Sequence, residues 1–230
     1  EILGSGSRKT FKSDVDVLLV TALSIALYEY TGSEKVVVEL ENHGRLLDEV
    51  DVARTVGWFT AMYPKLIAVD KESLVDRIKS IKEQLVNTPD KHNPNKGIGY
   101  GVLKYLSQKI SGEFKSRVRF NYLGQFDREV TNDIFAYSDI NSGEEIDPEN
   151  ALTTQIEIDC MILNGRLIVD IYYSSILFNK EKIEELSDKI QAVLQQMITY
   201  FESVDKDEVH PTPSDYEADI DQEDLDMIIG

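Results

Sequence analysis

Cysteine is almost absent. Cys160 is the single one in 230 residues, which excludes an intramolecular disulfide and a cysteine-based metal cluster and suits a reducing cytosol. It falls in the alternating run from Thr154 to Leu163, where a buried core thiol is the expectation. Basic residues are scarce as well: 24 Lys and Arg face 42 Asp and Glu, a formal charge of −18. So acidic a chain does not neutralise a phosphate backbone or an anionic lipid surface, and nucleic acid and membrane partners are excluded on that ground. No stretch approaches the ~20 apolar residues of a membrane span, and no cleavable leader is recognisable, so the expected location is cytoplasmic. Histidine is limited to His43, His92 and His210.

What is present is ordinary for a folded domain: 42% apolar and 29% charged residues, enough in a chain of this length for a full hydrophobic core. The acidity is uneven. From Glu202 to Gly230 there are 11 Asp or Glu and one Lys, Lys206. The expected organisation is therefore a body over residues 1–203 and an acidic tail over 204–230. Asp14 to Tyr30 is apolar nearly all round and reads as a buried helix ended by Gly32. Val36 to Leu40 is a short β-branched strand leading into a polar turn. Lys71 to Leu85 places Leu74, Ile78, Ile81 and Leu85 on one helical face. Lys91 to Gly101 is a Pro/Gly/Asn-rich loop, and Gly101 to Ile110 reads as helical. Arg117 to Leu123, Thr153 to Leu163 and Arg166 to Tyr173 alternate as strands, the last two joined as a hairpin through Asn164-Gly165. Asp127 to Asn150 reads as a long polar loop. Lys180 to Phe201 carries Ile183, Leu186, Ile190, Leu194, Met197 and Phe201 at helical spacing. The fold class is a mixed α/β layer, a sheet covered by helices.

Three segments are too unusual for generic core or loop. Glu41-Asn42-His43-Gly44-Arg45 crowds an acid, an imidazole and a guanidinium around glycine; Arg54 to Pro64 (RTVGWFTAMYP) holds the single Trp; Phe120 to Phe126 (FNYLGQF) sets two amides among aromatics. With Pro94 to Gly101 (PNKGIGYG), these resemble, in order, four signature motifs of nonribosomal peptide synthetase epimerization domains: EGHGR, RTVGWFTSMYP, PxxGxGYG and FNYLGQ. The likeness runs from about Phe11 to Phe201, and the GWFT and NYLGQ forms look more like epimerization than condensation domains, which share the fold. Asn42 stands where the pattern has glycine, and Ala61 where it has serine. The resemblance implies a chloramphenicol acetyltransferase-like lobe, one of two that form a V with the active site in a tunnel between them. The family's acid/base histidine lies in an HHxxxDG motif on the first lobe. None of the three histidines here sits in such a motif, so that N-terminal lobe is expected to be missing from this chain and to be a partner it requires.

Inverting Cα of an amino acid needs proton removal from one face and proton return to the other, so an acid/base group is needed on each side. The resemblance assigns one role to Glu41 and the other to the histidine of the first lobe. It implies an aminoacyl or peptidyl thioester carried on the phosphopantetheine of a peptidyl carrier protein, with no cofactor bound directly and no metal. Read from the residues alone, Glu41 is either such a group or one half of a turn ion pair with Arg45. Asn121 either donates to the thioester oxygen as enolate charge develops or satisfies neighbouring backbone. His43 and Arg45 are expected to hold the turn, and Trp58, Phe59 and Tyr63 to be core or tunnel wall. Tyr100, Tyr122 and Gln125 are supporting candidates, with Tyr122 alternating to the other face to pack. Gly97, Gly99 and Gly101 lack a leading apolar strand and a Walker lysine, which argues against a nucleotide loop.

Two other readings stay open: a condensation domain lobe forming peptide bonds, and a non-catalytic module contacting a carrier protein. In the tail, Pro211 and Pro213 break helical continuation, and Asp221 to Ile229 has Leu225, Ile228 and Ile229 at helical spacing behind an acidic first turn. Residues 205–230 therefore read either as a docking segment for a downstream synthetase subunit or as a solvated acidic linker.

Overall fold

The computed structural model describes residues 2–45, 51–89, 97–112, 116–126, 140, 143, 147, 150, 153–205, 207–216 and 220–229. The elements are α1 (Ile2–Phe11), α2 (Val15–Thr31), β1 (Lys35–Asn42), β2 (Ala61–Ala68), α3 (Leu74–Val86), α4 (Ile98–Gly101), β3 (Val118–Gln125), β4 (Ile156–Leu163), β5 (Arg166–Tyr173), α5 (Lys180–Ser203) and α6 (Gln222–Ile229). The strands form one sheet in the order β2-β1-β3-β4-β5, parallel at β1/β3 and β3/β4 and antiparallel at both edges. This is the mixed α/β layer expected.

Alternation decides what each face of the sheet does. Val36, Val38 and Leu40 of β1, Val118 and Phe120 of β3, and Ile156, Ile158 and Cys160 of β4 point to one face and are buried, because successive strand residues face opposite ways. Helices close that face. α2 is buried from Val17 to Leu27, and the hydroxyls of Thr21 and Ser24 donate to the carbonyls four residues back at 2.7 Å, so its polar side chains cost no unmet hydrogen bond. Gly32, with φ 71°, ends it as expected. α5 packs alongside through Ile183, Leu186, Ile190, Val193, Leu194 and Met197.

Several elements differ from the expectation. α3 starts at Leu74 rather than Lys71, because Ser73 accepts from the Asp76 N–H at 3.0 Å and caps it. The helix expected over Gly101 to Ile110 starts earlier and is shorter: the single turn α4 passes at Gly101 into a π-helical turn over Val102–Leu106. α1 and β2 have no counterpart among the expected elements. α1 is held by tertiary contact: Ser7 donates to the Ser13 carbonyl at 2.8 Å, and Phe11 meets Phe201 edge-on at 6.1 Å. β2 tolerates Pro64 because it is an edge strand. The hairpin through Asn164 and Gly165 forms as expected, with φ of 51° and 70° there. Most of the polar loop 127–150 and residues 91–96 lie outside the described residues.

Beyond α5 the chain returns to the body. The His210 N–H donates to the Thr10 carbonyl at 2.6 Å, and its ring lies 2.5 Å from the Tyr200 hydroxyl. Lys82, buried, donates to the Phe11 carbonyl at 2.8 Å and pairs with Asp215 at 2.6 Å. α6, expected from its spacing, buries Leu225 and leaves Met227 and Ile228 exposed.

Candidate active site

The face of the sheet opposite the core carries charge. Glu39, Arg119 and Glu157 are paired across β1, β3 and β4; Asn121 is paired with Asp159 two residues further on. Continuing the same alternation along β1 brings Glu41 to this face, so Glu41, near the C-terminal end of β1, and Asn121, midway along β3, each follow the last paired residues, Leu40 and Phe120, of these adjacent parallel strands. Met62 and Pro64 of β2 lie opposite Glu41 and Glu39.

Arg119 organises the acids. Its guanidinium lies 3.0 Å from Glu39, 3.4 Å from Glu157 and 3.5 Å from Glu41, and donates to the Thr153 hydroxyl at 2.6 Å. Burial pushes the Glu41 carboxyl above its ordinary value; Arg119 opposes this, while Asp159, Glu39 and Glu157 add to it. The Asp159 carboxyl is raised too, by burial first and then by Glu157 and by Asp170, its direct partner on β5. Among the described residues nothing hydrogen-bonds the Asn121 carboxamide. A partly sheltered acid with a raised pKa, beside an uncommitted amide donor, can exchange a proton with a bound carbon acid and stabilise the adjoining oxyanion.

The remaining candidates separate from this pair. Arg45 is not the counterion of Glu41, which corrects the turn ion pair: its guanidinium donates to the carbonyls of Val52 and Thr55, the latter at 2.9 Å, and lies 4.1 Å over the Phe59 ring. His43 is exposed and accepts the Arg45 N–H at 3.1 Å. Both side chains bond within the turn and the segment that follows it. Asn42 accepts from the Gly44 N–H at 2.8 Å and bonds the Tyr63 hydroxyl. Gly44 supplies the left-handed conformation, φ 65°, and a Cβ there would lie 1.6 Å from the Phe59 carbonyl oxygen. The glycine missing at position 42 is therefore not the one the turn depends on.

Tyr63 is core, 7% exposed, with burial pushing its phenol up to about 12. The Gly97 Cα lies against its ring, so close that a Cβ would stand 2.1 Å from the nearest ring atom. Trp58 is 90% exposed, which removes the core reading. Tyr100 and Tyr122 pack partly buried against the core, and Gln125 ends β3 half-buried beyond a bulge between Tyr122 and Gly124. The sequence reading missed Arg119, Glu39, Glu157 and Asp159. Period-two alternation from Glu41 and Asn121 reaches Glu39 and Arg119 on the same strands, whereas Glu157 and Asp159 of β4 join them only through the strand register.

A family model for the condensation domain matches residues 8–218. Over 221 residues the chain is 36% identical to a component of the mycosubtilin synthase of Bacillus subtilis, covering 94% of this chain and 8% of that protein. Over 215 residues it is 35% identical to bacitracin synthase 3 of Bacillus licheniformis, covering 91% and 3%. The chain thus spans less than a tenth of the length of these relatives. The crystal structure of the epimerization domain from the third module of tyrocidine synthetase B superposes with a TM-score of 0.71 at 31% identity, over 84% of this chain and 43% of that one. The condensation domain from the Monacolin K polyketide synthase MokA shares the fold, with a TM-score of 0.60 at 14% identity, over 88% of this chain and 44% of that one. Motifs in order, a matched model and a shared fold agree, and the chain belongs to the condensation domain family of nonribosomal peptide synthetases.

Proposed function

We propose that this chain is the C-terminal lobe of an epimerization domain, over residues 1–203, and supplies one of the two acid/base groups that invert Cα of an aminoacyl or peptidyl thioester. The observation that carries the reading is the placement of Glu41 and Asn121 on one charged face, each just past the Leu40–Phe120 pair of adjacent parallel strands. In the reaction, the Glu41 carboxylate takes the α-proton, and the C–H electron pair moves into the thioester carbonyl to give an enolate. The Asn121 amide donates to the enolate oxygen. The histidine of an HHxxxDG lobe returns a proton to the opposite face of Cα as the carbonyl reforms; the reverse direction exchanges the two roles. The thioester itself acidifies Cα, so no cofactor bound to the chain is required. The partners of this reading are a peptidyl carrier protein with its phosphopantetheine arm, the HHxxxDG lobe, and a downstream synthetase subunit met by residues 205–230, where Met227 and Ile228 offer apolar contact. The cytoplasm is the proposed location; among the described residues no helix is long and apolar enough to cross a membrane.

The GWFT and NYLGQ motifs and the 31% identity to an epimerization domain favour this reading over peptide-bond formation. The test loads the carrier of the synthetase containing this chain with an L-aminoacyl thioester and follows the stereochemistry of the released amino acid. A mixture of D and L supports the proposal. Retention of L, with peptide bond formation to an added acceptor thioester, would assign the condensation reaction instead.

A further inference from the structure

We propose that Arg119 is a positioning residue for Glu41, holding its carboxylate in place on the charged face while leaving it free to exchange a proton. The inference rests on the epimerase reading of Glu41. Arg119 lies on β3 two residues before Asn121, so its side chain rises beside both candidates. It is itself fixed elsewhere: Nε and Nη2 take Glu39 at 3.0 Å, Nη2 takes the Thr153 hydroxyl at 2.6 Å, and Nη1 takes Glu157 at 3.4 Å. Its contact with Glu41 is the longest of the four, 3.5 Å from Nε to Oε1.

That order of distances matters. A guanidinium is a planar fork that can lock a carboxylate through two parallel bonds, and a carboxylate locked that way is a poor base. Here the fork is spent on Glu39, Glu157 and Thr153, and Glu41 is attached at one oxygen. The side chains of Arg119, Glu39, Glu41 and Glu157 are 17–22% exposed, so the attachment is only partly screened by solvent. The charged groups facing Glu41 are Glu39 on its own strand, Arg119 on β3, and Glu157 and Asp159 on β4; β2 contributes the uncharged Met62 and Pro64. Among the described residues, Glu41 would have only like charges around it without Arg119.

The test is a carbon-13 NMR titration of the Glu41 side-chain carboxyl in the 230-residue chain, comparing wild type with Arg119→Met, Arg119→Gln and Arg119→Lys, each checked for fold by near-UV circular dichroism. The expected result is a midpoint moved to higher pH in the Met and Gln variants and largely restored by Lys. The acidic limb of the epimerisation pH profile, measured with the HHxxxDG lobe present, moves in the same direction. Coincident Glu41 titrations in wild type and a folded Met or Gln variant would overturn the inference. So would an Arg119 Nε–H resonance in the wild-type chain that stays flat across the Glu41 midpoint, a measurement that needs no variant. Glu41→Gln with undiminished inversion would defeat the epimerase reading alone and leave the titration standing. An inactive Glu41→Gln with unmoved titrations would defeat this inference alone.

Discussion

The two faces of the sheet are written in the same strands by alternate residues. In β4, Ile156, Ile158 and Cys160 enter the helix-covered core, while Glu157 and Asp159 turn the other way. The core face is uniform and apolar, and packing alone accounts for it. The other face holds four acids and one Arg paired across β1, β3 and β4, and burial there raises carboxyl pKa values rather than adding stability. The difference teaches that core packing and the proposed site sit one residue apart, so substitutions on the two faces are expected to fail in different ways.

The sharpest stability loss is expected from the core face. Ile158→Ala removes a side chain that is 1% exposed and is expected to cost about 2–5 kcal/mol in denaturant unfolding, with little dependence on pH. A cost below about 1 kcal/mol would break the comparison, since the core could then collapse around the gap. On the charged face, Asn121→Ala is expected to slow inversion about 10²-fold or more while leaving the unfolding midpoint near wild type. An unchanged rate would return Asn121 to a structural role.

The Glu41 carboxyl offers a subtler contrast. Its pKa in the folded chain is raised above its ordinary value of 4.5, so the fold favours the protonated form. Charging it opposes folding at neutral pH, and this penalty fades as pH falls through the folded pKa and is gone below the unfolded one. Glu41→Gln is therefore expected to melt higher than wild type at neutral pH, with the two curves converging toward pH 4.5. A variant that melts lower at neutral pH would show that the Arg119 contact outweighs burial. The smallest effect belongs to Trp58→Ala: at 90% exposure its stability change is expected within about 0.5 kcal/mol of zero, and a larger loss would reveal packing by chain outside the described residues.

Legibility in the sequence followed the same division. α2, α5 and the β4–β5 hairpin were readable because apolar periodicity and Asn164-Gly165 are local signals. α1 was not: its Gly and Ser residues are poor helix formers, and its stability comes from Phe11 against Tyr200 and Phe201. Pro64 hid β2, since proline argues against a strand unless the strand is known to be an edge. The motifs located Glu41 and Asn121 but not the partner of Glu41, because strand alternation identifies a face and only the register brings Arg119 beside it. The anchoring of the segment after α5 was equally hidden, since Lys82 and Asp215 lie 133 residues apart.

The most direct measurement of the central claim is solvent deuterium incorporation at Cα of a carrier-bound aminoacyl thioester, using the synthetase that contains both this chain and an HHxxxDG lobe. Wild type is expected to incorporate deuterium as the two stereoisomers interconvert, and Glu41→Gln to lose inversion by about 10²–10⁴-fold with its fold intact. Inversion and incorporation at the wild-type rate in Glu41→Gln would contradict the account and leave the charged face without the acid/base role assigned to it.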